Sequence, residues 1–169
     1  MNKKILIIAA HPDDEVLGCG GIIARADDEG DLVRVMIMAT GKTSRYEEHT
    51  KAHLKEIEGL YKETIKALKI LGVKEKNVVF GGFPDQKLDM VGNLQLVQYL
   101  KKEIQTFKPD LVFSHHSGDY NLDHKMVFEA TRFACRPCPG EHFPSELYSF
   151  EVLSSTEWSF AEDSLFCPN

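Results

Sequence analysis

An α/β fold, a three-layer sandwich built on a mostly parallel sheet, is predicted for this chain of 169 residues by three observations. Short apolar runs without internal polar residues recur along it, the pattern of strands buried on both faces. Longer segments with apolar residues three and four apart separate those runs, the pattern of amphipathic helices. Strand and helix then alternate from end to end, which calls for right-handed crossovers and helices on both faces of the sheet.

The first run, residues 4–10, ends abruptly on His11-Pro12-Asp13-Asp14-Glu15. Acids cannot continue into a core without partners, so this strand ends at the carboxyl edge of the sheet, where open α/β folds bind ligands. A helix over residues 16–28 follows, with Gly18, Gly20 and Gly21 in its first turns. Glycine costs a helix about 1 kcal/mol against alanine, so close backbone approach to a strand or ligand is expected there. Residues 32–39 form the second strand and lead into the polar loop 40–45, ending at Arg45. A long helix runs from about residue 47 to Leu71, its core stripe being Leu54, Ile57, Leu60, Ile65, Leu68 and Leu71. A short third strand covers 78–80. The next helix, 92–107, carries Leu94, Val97, Leu100 and Ile104 on one face and stops at Lys108-Pro109. The fourth strand, 110–114, opens onto His115-His116-Ser117-Gly118-Asp119-Tyr120-Asn121-Leu122-Asp123-His124. A helix reaches about Arg136, and residues 147–153 supply a fifth strand.

One domain, residues 1–169, is the natural count at this length, and a chain of this size buries about 70 % of its unfolded surface. A net charge of −6 argues against nucleic acid as a partner, because phosphate binding rests on Lys and Arg. No run reaches the roughly 18–20 apolar residues of a membrane span. The apolar start is too short for an export signal. A cytoplasmic location is therefore expected, with the four cysteines as thiols. The sequence leaves monomer and homo-oligomer both open.

The loops after strands one and four lie at one sheet edge and can meet. His11 and Asp14, three apart across a turn, aim at one point, and His124 adds a third donor. Two imidazoles and a carboxylate with one open position make a catalytic zinc site, although ferrous oxygenases use the same set and another divalent transition metal fits as well. Asp13 is left over beside the open position. Zinc lowers the pKa of a bound water to about 7, and Asp13 can take the proton as general base. Asp123 is expected to cap the helix carrying His124. His49 and His53 sit one turn apart on a charged helix face, which predicts solvation rather than ligation.

Ala10-His11-Pro12-Asp13-Asp14-Glu15 with Gly20-Gly21, together with Gly118-Asp119-Tyr120-Asn121-Leu122-Asp123-His124, resembles the LmbE/PIG-L-type zinc-dependent N-acetylglucosamine deacetylases. Pro84-Asp85 and the segment from Glu151 to Trp158 are also similar to bacterial members. The resemblance implies a Rossmann-like fold, zinc on His11, Asp14 and His124, Asp13 as general base, and an N-acetylated amino sugar as substrate. It offers Arg45, His115, Asp119 and Asn121 as substrate contacts. Where many relatives read His-Pro-Asp-His, this chain reads Asn121-Leu122-Asp123-His124; Asn121 donates a hydrogen bond but no charge, so either His115 or His116 stands in for the missing imidazole or the step is weaker. The family usually continues with another strand and helix, so the domain is expected to be truncated after Phe166-Cys167-Pro168-Asn169.

The alternative is a non-catalytic sugar- or nucleotide-binding module that keeps the metal ligands. Cys135-Arg136-Pro137-Cys138 lies past a helix C-terminus, the wrong end for a low-pKa thiol, and lacks a second pair for structural zinc.

Overall fold

A computed structural model describes residues 2–42, 51–160 and 164–168, without the side chains of 51–53. The elements are β1 (Lys4–Ala9), α1 (Asp14–Asp28), β2 (Leu32–Ala39), α2 (Lys51–Ile70), β3 (Val78–Phe83), α3 (Leu88–Val91), α4 (Asn93–Phe107), β4 (Leu111–His115), α5 (Leu122–Ala134) and β5 (Glu146–Phe150). Among the described residues the five strands form one sheet in the order β3-β2-β1-β4-β5. Every pairing in it is parallel, where the sequence pattern predicts a mostly parallel sheet.

The apolar run of β1 is explained by two covered faces. Leu6 and Ile8 point into a core with Leu96, Leu100 and Ile104 of α4 and Val127 of α5. Ile5 and Ile7 point the other way, onto Cys19 and Ile23 of α1 and Leu68 of α2. Alternate residues of a strand face opposite ways, so neither face can carry a polar residue. The chain order reverses between β1 and β4, which opens a crevice beyond their carboxyl ends.

Several boundaries differ from the sequence pattern for physical reasons. α1 starts at Asp14 rather than 16, because two acids are stable in a helix's first turn, near the positive end of its dipole. β3 continues through Gly81 and Gly82 to Phe83. The α4 stripe is Leu96, Leu100, Ile104 and Phe107, while Leu94 is exposed, as is Leu54 of α2. β5 ends at Phe150, since the Val152 N–H turns to Thr156 Oγ1 at 2.8 Å. The start of the long helix, with His49, lies outside the described residues, and so does Arg45. All four cysteines are free thiols. No helix of the described residues is long and apolar enough to cross a membrane.

Close approach is found at one of the three glycines of α1. A Cβ on Gly18 would lie 2.2 Å from the Phe150 ring, whereas one on Gly21 would meet nothing within 4 Å. Gly21→Ala is therefore expected to stabilise the fold by up to about 1 kcal/mol through helix propensity. Gly18→Ala is expected to lose roughly 1–3 kcal/mol to overpacking. Paired thermal melts check the opposite signs.

Candidate metal centre

The turn after β1 is built by side chains folding back on their own backbone. The His11 N–H donates to Asp14 Oδ2 at 2.9 Å, and the Asp14 N–H approaches His11 O at 3.4 Å. Asp13 between them takes φ 111°, a conformation that favours glycine, and its N–H donates to Glu15 Oε2 at 3.0 Å. Across the crevice, Asn121 Oδ1 accepts from the Asp123 N–H at 2.9 Å and so caps α5. This corrects the expectation for Asp123, which sits inside the first turn with its carboxylate free to reach His11.

The two loops meet. His11 Nδ1 and His124 Nε2 lie 3.2 Å apart, and Asp14 Oδ2 lies 3.4 Å from the first and 3.2 Å from the second. Tetrahedral zinc with bonds of about 2.0–2.1 Å holds its ligands about 3.3–3.4 Å apart, so the triangle has the size of one such face. Two further candidate groups share these imidazoles, His115 with Asp119 and His124, and His11 with Asp85 and Asp123. They lie on the outer nitrogens. His124 Nδ1 is 3.1 Å from Asp119 Oδ2. His11 Nε2 is 3.0 Å from Asp123 Oδ2 and 3.3 Å from Asp85 Oδ1. Each imidazole thus turns one nitrogen to the common point and the other to a carboxylate, the usual way a ligating histidine is oriented.

The outer carboxylates are themselves anchored. Asp119 Oδ2 accepts from Ser155 Oγ at 3.0 Å and Thr156 Oγ1 at 2.7 Å. Asp123 accepts from the Gln86 N–H at 2.7 Å and the Leu88 N–H at 3.1 Å. Burial opposes charge on His11, yet hydrogen bonds to Asp123 and Asp14 lift its pKa to about 10. Burial likewise works against charge on His124, and Asp119 and Asp14 lift it to about 9. Asp14 would be raised by burial, but the surrounding histidines hold it well below the usual carboxylate range. Burial, with Asp14 alongside, pushes the Asp13 carboxyl up. The centre therefore favours positive charge at its middle, as protons or as a cation.

The remaining sequence candidates fall into two groups. Asp13 and Asn121 line the cleft of about 290 Å³ over the centre, together with His11, Asp85, Gln86 and Ser154. His115 and Asp119 are wholly buried behind it. His115 stacks on His124 with ring centroids 3.9 Å apart, and its Nε2 accepts the Ala10 N–H at 2.8 Å. Burial drives its pKa down to about 3, so it is neutral. Its Nδ1 has no hydrogen-bond partner among the described residues. It locks the end of β1 to the end of β4, and substrate contact is not what this position offers. His116 packs edge-on against Phe166, away from the cleft lining. Asp85, Gln86 and Ser155 have no part in the sequence-based site. Asp85 and Ser155 stand in segments that resemble bacterial relatives, and beyond that the signal is position in the loops after β3 and β5.

Replacing the acceptor with a ring of similar shape, His115→Phe, is expected to strand the buried Ala10 N–H and cost about 1–3 kcal/mol. A fall in the urea midpoint at constant slope checks it.

Comparison with known proteins finds relatives of this chain in sequence and in fold. A family model described as PIG-L, GlcNAc-PI de-N-acetylase, matches residues 6–135. The chain is 30% identical over 158 residues to the uncharacterized deacetylase YaiS of Escherichia coli K12, covering 88% of this chain and 78% of that one. It is 27% identical to 4-oxalmesaconate hydratase of Pseudomonas putida, covering 78% of this chain and 51% of the relative. Among solved structures, N,N'-diacetylchitobiose deacetylase from Pyrococcus horikoshii superposes with a TM-score of 0.62 at 27% identity, covering 79% of this chain and 49% of that one. The chain thus spans about half the length of the last two.

Proposed function

The chain belongs to the PIG-L family of GlcNAc-PI de-N-acetylases, and from that membership and the geometry of the centre we propose that it removes the acetyl group from an N-acetylated amino sugar or its conjugate. In this reading His11, Asp14 and His124 hold a zinc ion and Asp13 is the general base. The observation that carries it is the triangle of donor atoms, 3.2–3.4 Å on each side. A proton shared between the two imidazoles fits that spacing, and one divalent ion fits all three donor atoms at once.

A divalent ion held there would supply a Lewis acid that polarises an amide carbonyl and eases deprotonation of water. The protein's own residues do the rest. Asp119 and Asp123 keep the two imidazoles turned inward. Asp13, on the rim of the cleft, takes a proton from the attacking water and returns it to the departing amine. Asn121 lines the cleft where many relatives carry histidine, so it offers the tetrahedral intermediate a hydrogen bond without a charge.

The cleft lining favours a neutral substrate. Among the described lining residues there is no Lys or Arg, while Asp13, Asp14 and Asp85 are present. Among the described lining residues, an anionic substrate would meet three acids and no lysine or arginine. An acetamido sugar brings no charge.

Elemental analysis of the purified chain is expected to find one zinc, and N-acetylglucosamine derivatives are expected to release acetate. Metal without acetate would support the binding-module reading instead. Asp13→Asn should keep the metal and lose on the order of 10²–10⁴ in turnover; full turnover in that variant rules Asp13 out as the base. His124→Ala should lose the metal, and an unchanged stoichiometry strikes it from the ligands.

A further inference from the structure

Gln86 presents a cost without a backbone reason. Its φ is +54°, in the left-handed region that glycine enters freely and other residues rarely occupy. The backbone has a task there, since the Gln86 N–H donates to Asp123 Oδ2 at 2.7 Å and the Leu88 N–H to Asp123 Oδ1 at 3.1 Å. These bonds tie the loop after β3 to α5. Glycine would perform that task with less strain, so the side chain needs an explanation of its own.

The side chain is exposed and lines the cleft. Its Nε2 lies 3.5 Å from His11 Nε2. That is a long contact to a nitrogen already engaged by Asp123 at 3.0 Å, so it does little to hold the carboxamide. The carboxamide therefore stands at the mouth of the centre with its hydrogen-bonding capacity largely unspent among the described residues. With Asn121 and Ser154 it supplies neutral donors and acceptors to a cleft where Asp13, Asp14 and Asp85 offer acceptors alone. A sugar hydroxyl both donates and accepts, and a carboxamide matches it in both senses without adding charge near the metal. The sheet order sets the direction as well. β3 is one edge of the sheet and β5 the other, so the loops carrying Gln86 and Ser154 wall the cleft from opposite sides.

We propose that Gln86 is a specificity residue, its carboxamide hydrogen-bonding the polar groups of the amino-sugar ring beside the scissile amide. This rests on the deacetylase reading above. The test is steady-state kinetics of the zinc-loaded enzyme on an N-acetylglucosamine derivative, with thermal unfolding of each variant. Gln86→Gly keeps the N–H to Asp123 and relieves the strain. It is expected to raise KM about 3–10-fold, the worth of one or two neutral hydrogen bonds, with kcat within about twofold and Tm equal or higher. Gln86→Asn keeps a carboxamide on a residue that tolerates positive φ, and its KM should fall between. A purely structural role predicts the reverse, a lower Tm for Gln86→Gly with KM unchanged, and either result overturns the proposal. A wild-type enzyme that releases no acetate overturns the deacetylase reading and this one with it. An active wild type with an unmoved KM in Gln86→Gly overturns only the role of Gln86.

Discussion

Two imidazole nitrogens and a carboxylate oxygen crowd one point in this molecule, and the rest of the fold is arranged so that they can stay there. Left alone, the nitrogens would swing apart to find water or separate partners. They are held because each ring is gripped from behind by an anchored carboxylate, His11 by Asp123 and His124 by Asp119. The carboxylates are pinned in turn by backbone N–H groups on one side and by the hydroxyls of Ser155 and Thr156 on the other. His115 completes the frame as a neutral bolt between the ends of β1 and β4. Such a preorganised arrangement turns the donor atoms toward one shared point, as the outer partners of a metal-ligating histidine do.

The fold was legible because its central strand is apolar without interruption, and only a sheet covered on both faces allows that. The inward-facing donors were legible for a related reason. A buried strand that stops on His11, Pro12, Asp13 and Asp14 has nowhere to put those groups except the crevice at its carboxyl end. Asp123 was misread because it stands two residues after Asn121, and both types make good caps. Local pattern does not say which of the two takes the cap and which reaches across 112 residues to His11. The α4 stripe slipped for a similar reason. Leu94 and Leu96 both fit an apolar spacing with Leu100, and only packing against β1 selects the second.

Gln86 could not be read from the chain at all, and Asp85 and Ser155 stood only in segments that resemble bacterial relatives, with no role attached. All three gain meaning from the sheet order, which brings the loops after β3 and β5 to the rim of a centre made by β1 and β4. The substrate candidates divided along the same line. Motif residues such as His115 and Asp119 are buried behind the triangle of His11, Asp14 and His124, while a residue without a motif lines the opening.

This division of labour among strands bears on how such a protein can change over generations. The inner pair, β1 and β4, carries the donors and tolerates little, since each ring depends on several partners at once. The outer pair contributes rims through loops that touch the centre at few points. Lineages can therefore rewrite the outer loops and acquire new substrates while inheriting the reaction centre intact. The relatives this chain is similar to include both a deacetylase and a hydratase, as such a layout allows.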